Sequence, residues 1–143
     1  DLPITANHSD GIFIPTSSGT AALGIALGFE DLGIDIPIFI CQTTKINSIA
    51  REFDIDFHPT KTSLADAIVD RVAHRKLQLI ELIKKTNGDA FVISDEELIL
   101  AREKMLEGGK NFSYNCLLGL AGLLKSKQQN KKILSPIILA SGL

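Results

Sequence analysis

The sequence has little cysteine. Cys41 and Cys116 are the only two, both lie in apolar surroundings, and no CxxC spacing occurs. That argues against a disulfide framework and against a cysteine-built zinc site. Two thiols among apolar residues read as buried and reduced, so a cytoplasmic protein is expected. An excess of one charge is lacking too: 15 basic against 17 acidic residues leave a net charge of -2. This balance gives no electrostatic case for nucleic acid or an anionic membrane as partner. No apolar run reaches the roughly 18–20 residues that a membrane helix needs. No basic segment leads into an apolar stretch, so no signal peptide is read. His8, His58 and His74 are scattered without ligand spacing, and no metal is expected.

What is present suits one globular domain with a real core: 143 residues, 45% hydrophobic and 22% charged. The chain starts at Asp1 and stops at Leu143 directly after a strand-like run, so both ends read as cut. Residues 1–10 read as a polar lead-in and residues 11–143 as a single α/β domain.

Short apolar runs alternate with helical patterns. Ile12-Phe13-Ile14, residues 37–41, residues 90–93 and residues 133–140 read as buried strands. Pro136 inside the last run predicts an edge position, a bulge, or a strand that begins there. Helical patterns cover residues 20–31, 46–53, 63–85, 94–105 and 115–125. The third has a stripe of Ile68, Val69 and Val72, a possible break near His74, and an end at Asn87-Gly88. Ser94 and Glu97 fit a capping box, with Asp95, Glu96 and Glu97 as helix-start charges rather than an acid/base pair. Residues 116–124 read as core packing, and Lys125, Lys127, Lys131 and Lys132 as a solvated basic link. The alternation implies a parallel sheet of about four strands with helices on both faces, a three-layer α/β/α arrangement. Ligands in such sheets bind beyond the carboxyl ends of strands. This directs attention to the turn after the first strand and to Ser141-Gly142 after the last.

That first turn reads Ile14-Pro15-Thr16-Ser17-Ser18-Gly19-Thr20-Ala21-Ala22. Small residues let backbone amides approach an anion closely, and the new helix adds unsatisfied N–H groups and its positive dipole end. Hydroxyls of Ser17, Ser18 and Thr20 add donors, so a phosphate monoester fits. An ordinary capped strand-to-helix turn is the plainer alternative. The segment is neither GxxxxGK[ST] nor GxGxxG.

Residues 13–26, Phe-Ile-Pro-Thr-Ser-Ser-Gly-Thr-Ala-Ala-Leu-Gly-Ile-Ala, resemble the phosphate loop of fold-type-II pyridoxal-phosphate enzymes, including the glycine at Gly24. The resemblance continues in the family's order through Ile38-Phe39-Ile40-Cys41-Gln42-Thr43 and Ser63-Leu64-Ala65-Asp66-Ala67-Ile68. It goes on through Arg75, Gly88-Asp89-Ala90-Phe91-Val92-Ile93-Ser94-Asp95-Glu96-Glu97, Leu120-Ala121-Gly122-Leu123 and Ile138-Leu139-Ala140-Ser141-Gly142. The serine-rich loop looks most like the threonine synthase branch. Ser113-Tyr114-Asn115-Cys116 departs from the family's pattern by lacking a glutamate.

The resemblance implies pyridoxal 5'-phosphate as cofactor. It implies that Ser17, Ser18, Gly19 and Thr20 hold its phosphate and that Ser141 lies beside the pyridine nitrogen. A hydroxyl there suits elimination and replacement at the β or γ carbon. The Schiff-base lysine belongs to the family's N-terminal half and matches no lysine here, so no catalytic residue is assigned. Asp66 reads as a first-turn carboxylate and Arg75 as a surface or interface residue. The implied whole is a threonine synthase-like lyase or synthase of amino-acid metabolism. Serine/threonine dehydratase and a cysteate synthase-like enzyme are the alternatives within the class. The chain alone is expected to be inactive, with its amino-acid substrate held largely by the other half and a homo-oligomer possible. Outside the class stands a non-catalytic domain that binds a phosphorylated ligand or a partner protein.

Overall fold

The computed structural model describes residues 9–140. Its order is β1 (Gly11–Pro15), α1 (Thr20–Asp31), β2 (Ile38–Thr43), a 3-10 turn (Ala50–Glu52), α2 (Lys76–Lys85), β3 (Asp89–Ile93), α3 (Asp95–Glu107), α4 (Tyr114–Gln128) and β4 (Pro136–Ile138). All strand pairings are parallel and the sheet order is β3-β2-β1-β4. The chain leaves β1 toward β2 and β3 on one side and returns through α3 and α4 to β4 on the other. β1 therefore lies at the switch in strand order, where crevices form at the carboxyl ends.

Period-two alternation sorts the side chains onto two covered faces. Ile12, Ile14, Ile38, Ile40, Ala90 and Val92 pack against Ala22, Leu23 and Ala26 of α1 and Leu79, Leu82 and Ile83 of α2. The opposite face presents Phe13, Phe39, Cys41, Phe91 and Ile93 to α3 and α4. Phe13 and Phe39, register partners, stack at 4.6 Å between ring centroids. Two glycines let α4 lie close on this face: a Cβ on Gly122 would fall on the Cys41 sulfur, and one on Gly119 would come 3.3 Å from the Phe13 carbonyl oxygen. The expected three-layer arrangement is the one observed.

β4 is an edge strand that begins at Pro136, where the missing N–H costs no ladder bond. Asn87 adopts φ 59 and ends α2, with Gly88 N–H donating to the Ile83 carbonyl. Gly88 must be glycine for a steric reason: a Cβ there would fall on the Ile38 carbonyl.

Three expectations are corrected. Residues 63–75 are irregular, and only Lys76–Lys85 of the long helical pattern is helix. Ile68 is buried, but Val69 and Val72 are 57% and 64% exposed, so the apparent stripe is not a buried face. Residues 46–53 form only the 3-10 turn, because neighbours take groups that a helix would use. Gln42 Oε1 accepts from the N–H groups of Ile49 and Ala50, and Thr43 N–H donates to the Ile46 carbonyl. Lys125 is not a solvated link residue: it lies within α4 and meets Asp54 at 2.7 Å, Glu97 at 3.8 Å and the Val92 carbonyl at 2.7 Å. Lys131 also pairs, with Asp89 at 2.8 Å.

Candidate functional site

Beyond the carboxyl end of β1 lies a concavity of about 250 Å³ lined by residues 15–19, Ala21, Ala22, Ala67, Ile68 and Asn115. The turn into α1 shapes it. Gly19 is the N-cap residue at φ 95, a left-handed conformation that favours glycine, and it contributes no side-chain cap. It is also walled in, since a Cβ would come 3.1 Å from Ile49 Cδ1 and 3.2 Å from Leu79 Cδ2. α1 has no acidic residue in its first turn. Thr20 N–H reaches Ser18 Oγ at a long 3.4 Å, and the first intrahelical bond runs from Leu23 N–H to the Gly19 carbonyl. The N–H groups of Ala21 and Ala22 thus have no acceptor among the described residues, as helix geometry requires of an uncapped start.

The turn is held from below by Gln42. This side chain is fully buried, and its Nε2 donates to the Ser17 carbonyl at 3.2 Å while its Oε1 accepts from Ile49 and Ala50 at 2.9 Å each. All its bonds go to backbone, so it fixes the path of the turn and of the segment after β2 together. Sequence reasoning noted Gln42 only as part of a resembling strand; a polar residue in a run of buried ones was the available signal. Thr16 is fastened by its N–H to the Cys41 carbonyl and by its hydroxyl to the Ile14 carbonyl. Beneath it, burial raises the Cys41 thiol far above its ordinary range, with Lys125 opposing in part; burial also raises the Cys116 thiol. Both are free and stay protonated at neutral pH.

Residues 64–70 cross one side of the concavity. Having no regular structure, this segment satisfies four of its amides with side chains from elsewhere. Leu64 N–H meets Asp95, Ala67 N–H meets Asn115 Oδ1, and both Val69 and Asp70 N–H meet Ser17 Oγ. Asn115 Nδ2 also donates to Asp66 Oδ1 at 2.9 Å. Asp66 is therefore not the first-turn carboxylate expected of it, because no helix starts there. Arg75 is exposed at the start of α2.

The structure brings Ser17, Ser18, Gly19 and Thr20 into one turn, with their hydroxyls already engaged. Ser18 Oγ donates to Thr20 Oγ1 at 3.2 Å, and Ser17 Oγ donates to Asp70 Oδ2 at 2.6 Å. Ser141 and His8 lie outside the described residues. His58 and His74 are exposed, and no group of metal-ligating side chains occurs among the described residues. No helix of the described residues is long and apolar enough to cross a membrane.

Solved structures share this fold. Maize serine racemase superposes with a TM-score of 0.74 at 20% identity over 99% of this chain and 46% of that one. Threonine deaminase isoform 2 from Solanum lycopersicum gives 0.71 at 16% identity, over 99% and 42%. A fungal L-serine ammonia-lyase from Rhizomucor miehei gives 0.66 at 14%, over 99% and 48%. This chain spans less than half the length of each. No curated protein matches it by sequence. The family model for pyridoxal-phosphate dependent enzymes matches residues 4–138. With a parallel sheet of the same fold and an uncapped helix start at its switch point, the chain belongs to the pyridoxal-phosphate dependent enzyme family, whose cofactor is pyridoxal phosphate.

Proposed function

We propose that this chain holds the cofactor phosphate in a lyase that removes a hydroxyl or phosphate leaving group from a hydroxy-amino acid or its phosphate ester. The observation that carries this reading is the open start of α1: a left-handed glycine cap, no acidic residue and unsatisfied N–H groups beside a cavity. A phosphate monoester supplies the missing acceptors, and its charge suits the positive helix end. The donors are the N–H groups of Ser18, Gly19, Ala21 and Ala22, with the Ser18 and Thr20 hydroxyls turning toward the ligand. Ser17 joins them once released from Asp70. Ser141 is assigned to the pyridine nitrogen, on the family resemblance alone.

Bound pyridoxal phosphate supplies an electron-withdrawing ring that makes substituents on a substrate's α and β carbons labile. This chain's part is binding and orientation. Gln42 fixes the turn, the sheet fixes Gln42, and the phosphate is anchored at the switch point. The covalent lysine and most contacts to the substrate carboxylate are assigned to the remainder of the protein, so the chain alone is expected to be inactive.

Within the class, elimination of water from serine or threonine is favoured. Two proteins of similar fold, a threonine deaminase and a serine ammonia-lyase, support it over the threonine synthase reading suggested by the serines of the loop. The two free, buried thiols support a cytoplasmic setting. Titration of the labelled chain with pyridoxal phosphate should shift the amide signals from Ser17 to Ala22, and inorganic phosphate should compete. No shift there would end the phosphate reading. The intact protein should then release a 2-oxo acid from L-serine or L-threonine; release of inorganic phosphate from O-phosphohomoserine would restore the synthase. Binding without turnover of any of these by the intact protein would favour a non-catalytic domain.

A further inference from the structure

We propose that residues 65–70 form a strap latched to the phosphate-binding turn by Asp70, and that this latch must open before a phosphate can use Ser17. The inference rests on the phosphate reading of the turn. A serine hydroxyl has one proton and two acceptor positions. All three are in use at Ser17. Its proton goes to Asp70 Oδ2 at 2.6 Å, and its oxygen accepts from Val69 and Asp70 N–H at 3.0 Å each. In this state it has nothing to offer a ligand.

The chemistry at the contact points to competition rather than plain support. α1 has no acidic residue of its own in the first turn. The strap brings one from 53 residues away and sets it on the Ser17 hydroxyl, in the turn that leads into the open helix start. A carboxylate there stands where a phosphate oxygen would accept the same proton, and its charge opposes the ligand's. The strap's two ends differ in fastening. Ala67 and Asp66 are tied to Asn115 on α4, whereas Val69 and Asp70 are tied to Ser17. Val69 and Asp70 are exposed, and an exposed charged contact is weak enough to exchange. Releasing one end frees the hydroxyl while the other stays in place.

The test is a titration of the 143-residue chain with inorganic phosphate, in the native sequence and as Asp70→Asn and Asp70→Ala. Amide shifts at Ser18, Gly19 and Ala21 report binding, and hydrogen exchange at the Val69 and Asp70 amides reports the latch. Asp70→Asn keeps the size and an acceptor but removes the charge; it should bind phosphate on the order of fivefold more tightly, as befits one exposed charge contact. Asp70→Ala should gain at least as much. Phosphate should also speed exchange at Val69 and Asp70 in the native chain. Binding at the turn with unchanged affinity in both variants, or with unchanged protection of those two amides, overturns the latch and leaves the phosphate reading intact. An absence of shifts in all three proteins overturns the phosphate reading, and the latch with it.

Discussion

Two strand-to-helix turns stand at the same edge of the sheet and are built in opposite ways. After β3, Ser94 caps α3 with a complete capping box: its hydroxyl accepts from Glu97 N–H, and the Glu97 carboxylate accepts from Ser94 N–H. Three acidic residues fill that helix's first turn. After β1, the cap is a left-handed glycine and the first turn of α1 holds no acid. The first turn is satisfied by its own residues and carries the charge that a helix start prefers. The second leaves the Ala21 and Ala22 donors open and has no acidic residue of its own in the helix's first turn. A helix start that costs stability in this way is the place to look for an anion that restores it.

The largest effect is expected from the support under the open turn. Replacing Gln42 by leucine strands the Ile49 and Ala50 amides in a buried site and frees the Ser17 carbonyl. Chemical denaturation should show a loss of about 3 kcal/mol, at ~1–3 kcal/mol for each buried group left without a partner. A loss below ~1 kcal/mol would mean that the two segments hold their shape without it. Gly19→Ala should come next, at roughly 2 kcal/mol, from the left-handed backbone and the crowding by Ile49 and Leu79. The equivalent change at the closed turn, Ser94→Ala, should cost ~1 kcal/mol through loss of the cap and leave phosphate binding unchanged. If Ser94→Ala instead abolished phosphate shifts at Ser18 and Gly19, the two turns would not be independent.

The smallest effect on stability belongs to the sharpest test. Ala21 occupies in α1 the position that Glu96 occupies in α3. Ala21→Glu should stabilise the chain by about 0.5 kcal/mol, because a carboxylate favours the helix start. It should at the same time remove phosphate binding. Retained binding would contradict the assignment of the open turn as the phosphate site.

Much of the architecture was legible in the residues. Apolar runs bounded by small or polar residues marked the strands, and Ser94 with Glu97 announced their helix start within four positions. Pro136 set the start of an edge strand. The turn at Ser17–Thr20 stood out because glycine, small residues and hydroxyls at a strand's end suit an anion whatever the rest of the chain does. Legibility failed where polar side chains far away in sequence took over the backbone. Residues 63–75 have apolar spacing close to a helix, yet their amides bond to Asp95, Asn115 and Ser17, which lie 31, 48 and 53 positions from the donors. Residues 46–53 failed in the same manner, over a shorter distance, through Thr43 and Gln42. Lys125 looked like one more surface lysine because its partners, Asp54 and Glu97, are remote from it.

The sequence by itself determined the alternation of strands and helices, the two covered faces of the sheet and the capped start of α3, since each depends on residues within a turn or two of one another. Tertiary structure alone decided that Gln42 underpins the Ser17 turn, that residues 65–70 cross the concavity, and that Asp70 meets the Ser17 hydroxyl. Those contacts depend on where the sheet brings distant segments together. A hydrogen bond discriminates over tenths of an ångström, which local patterns of polarity do not encode.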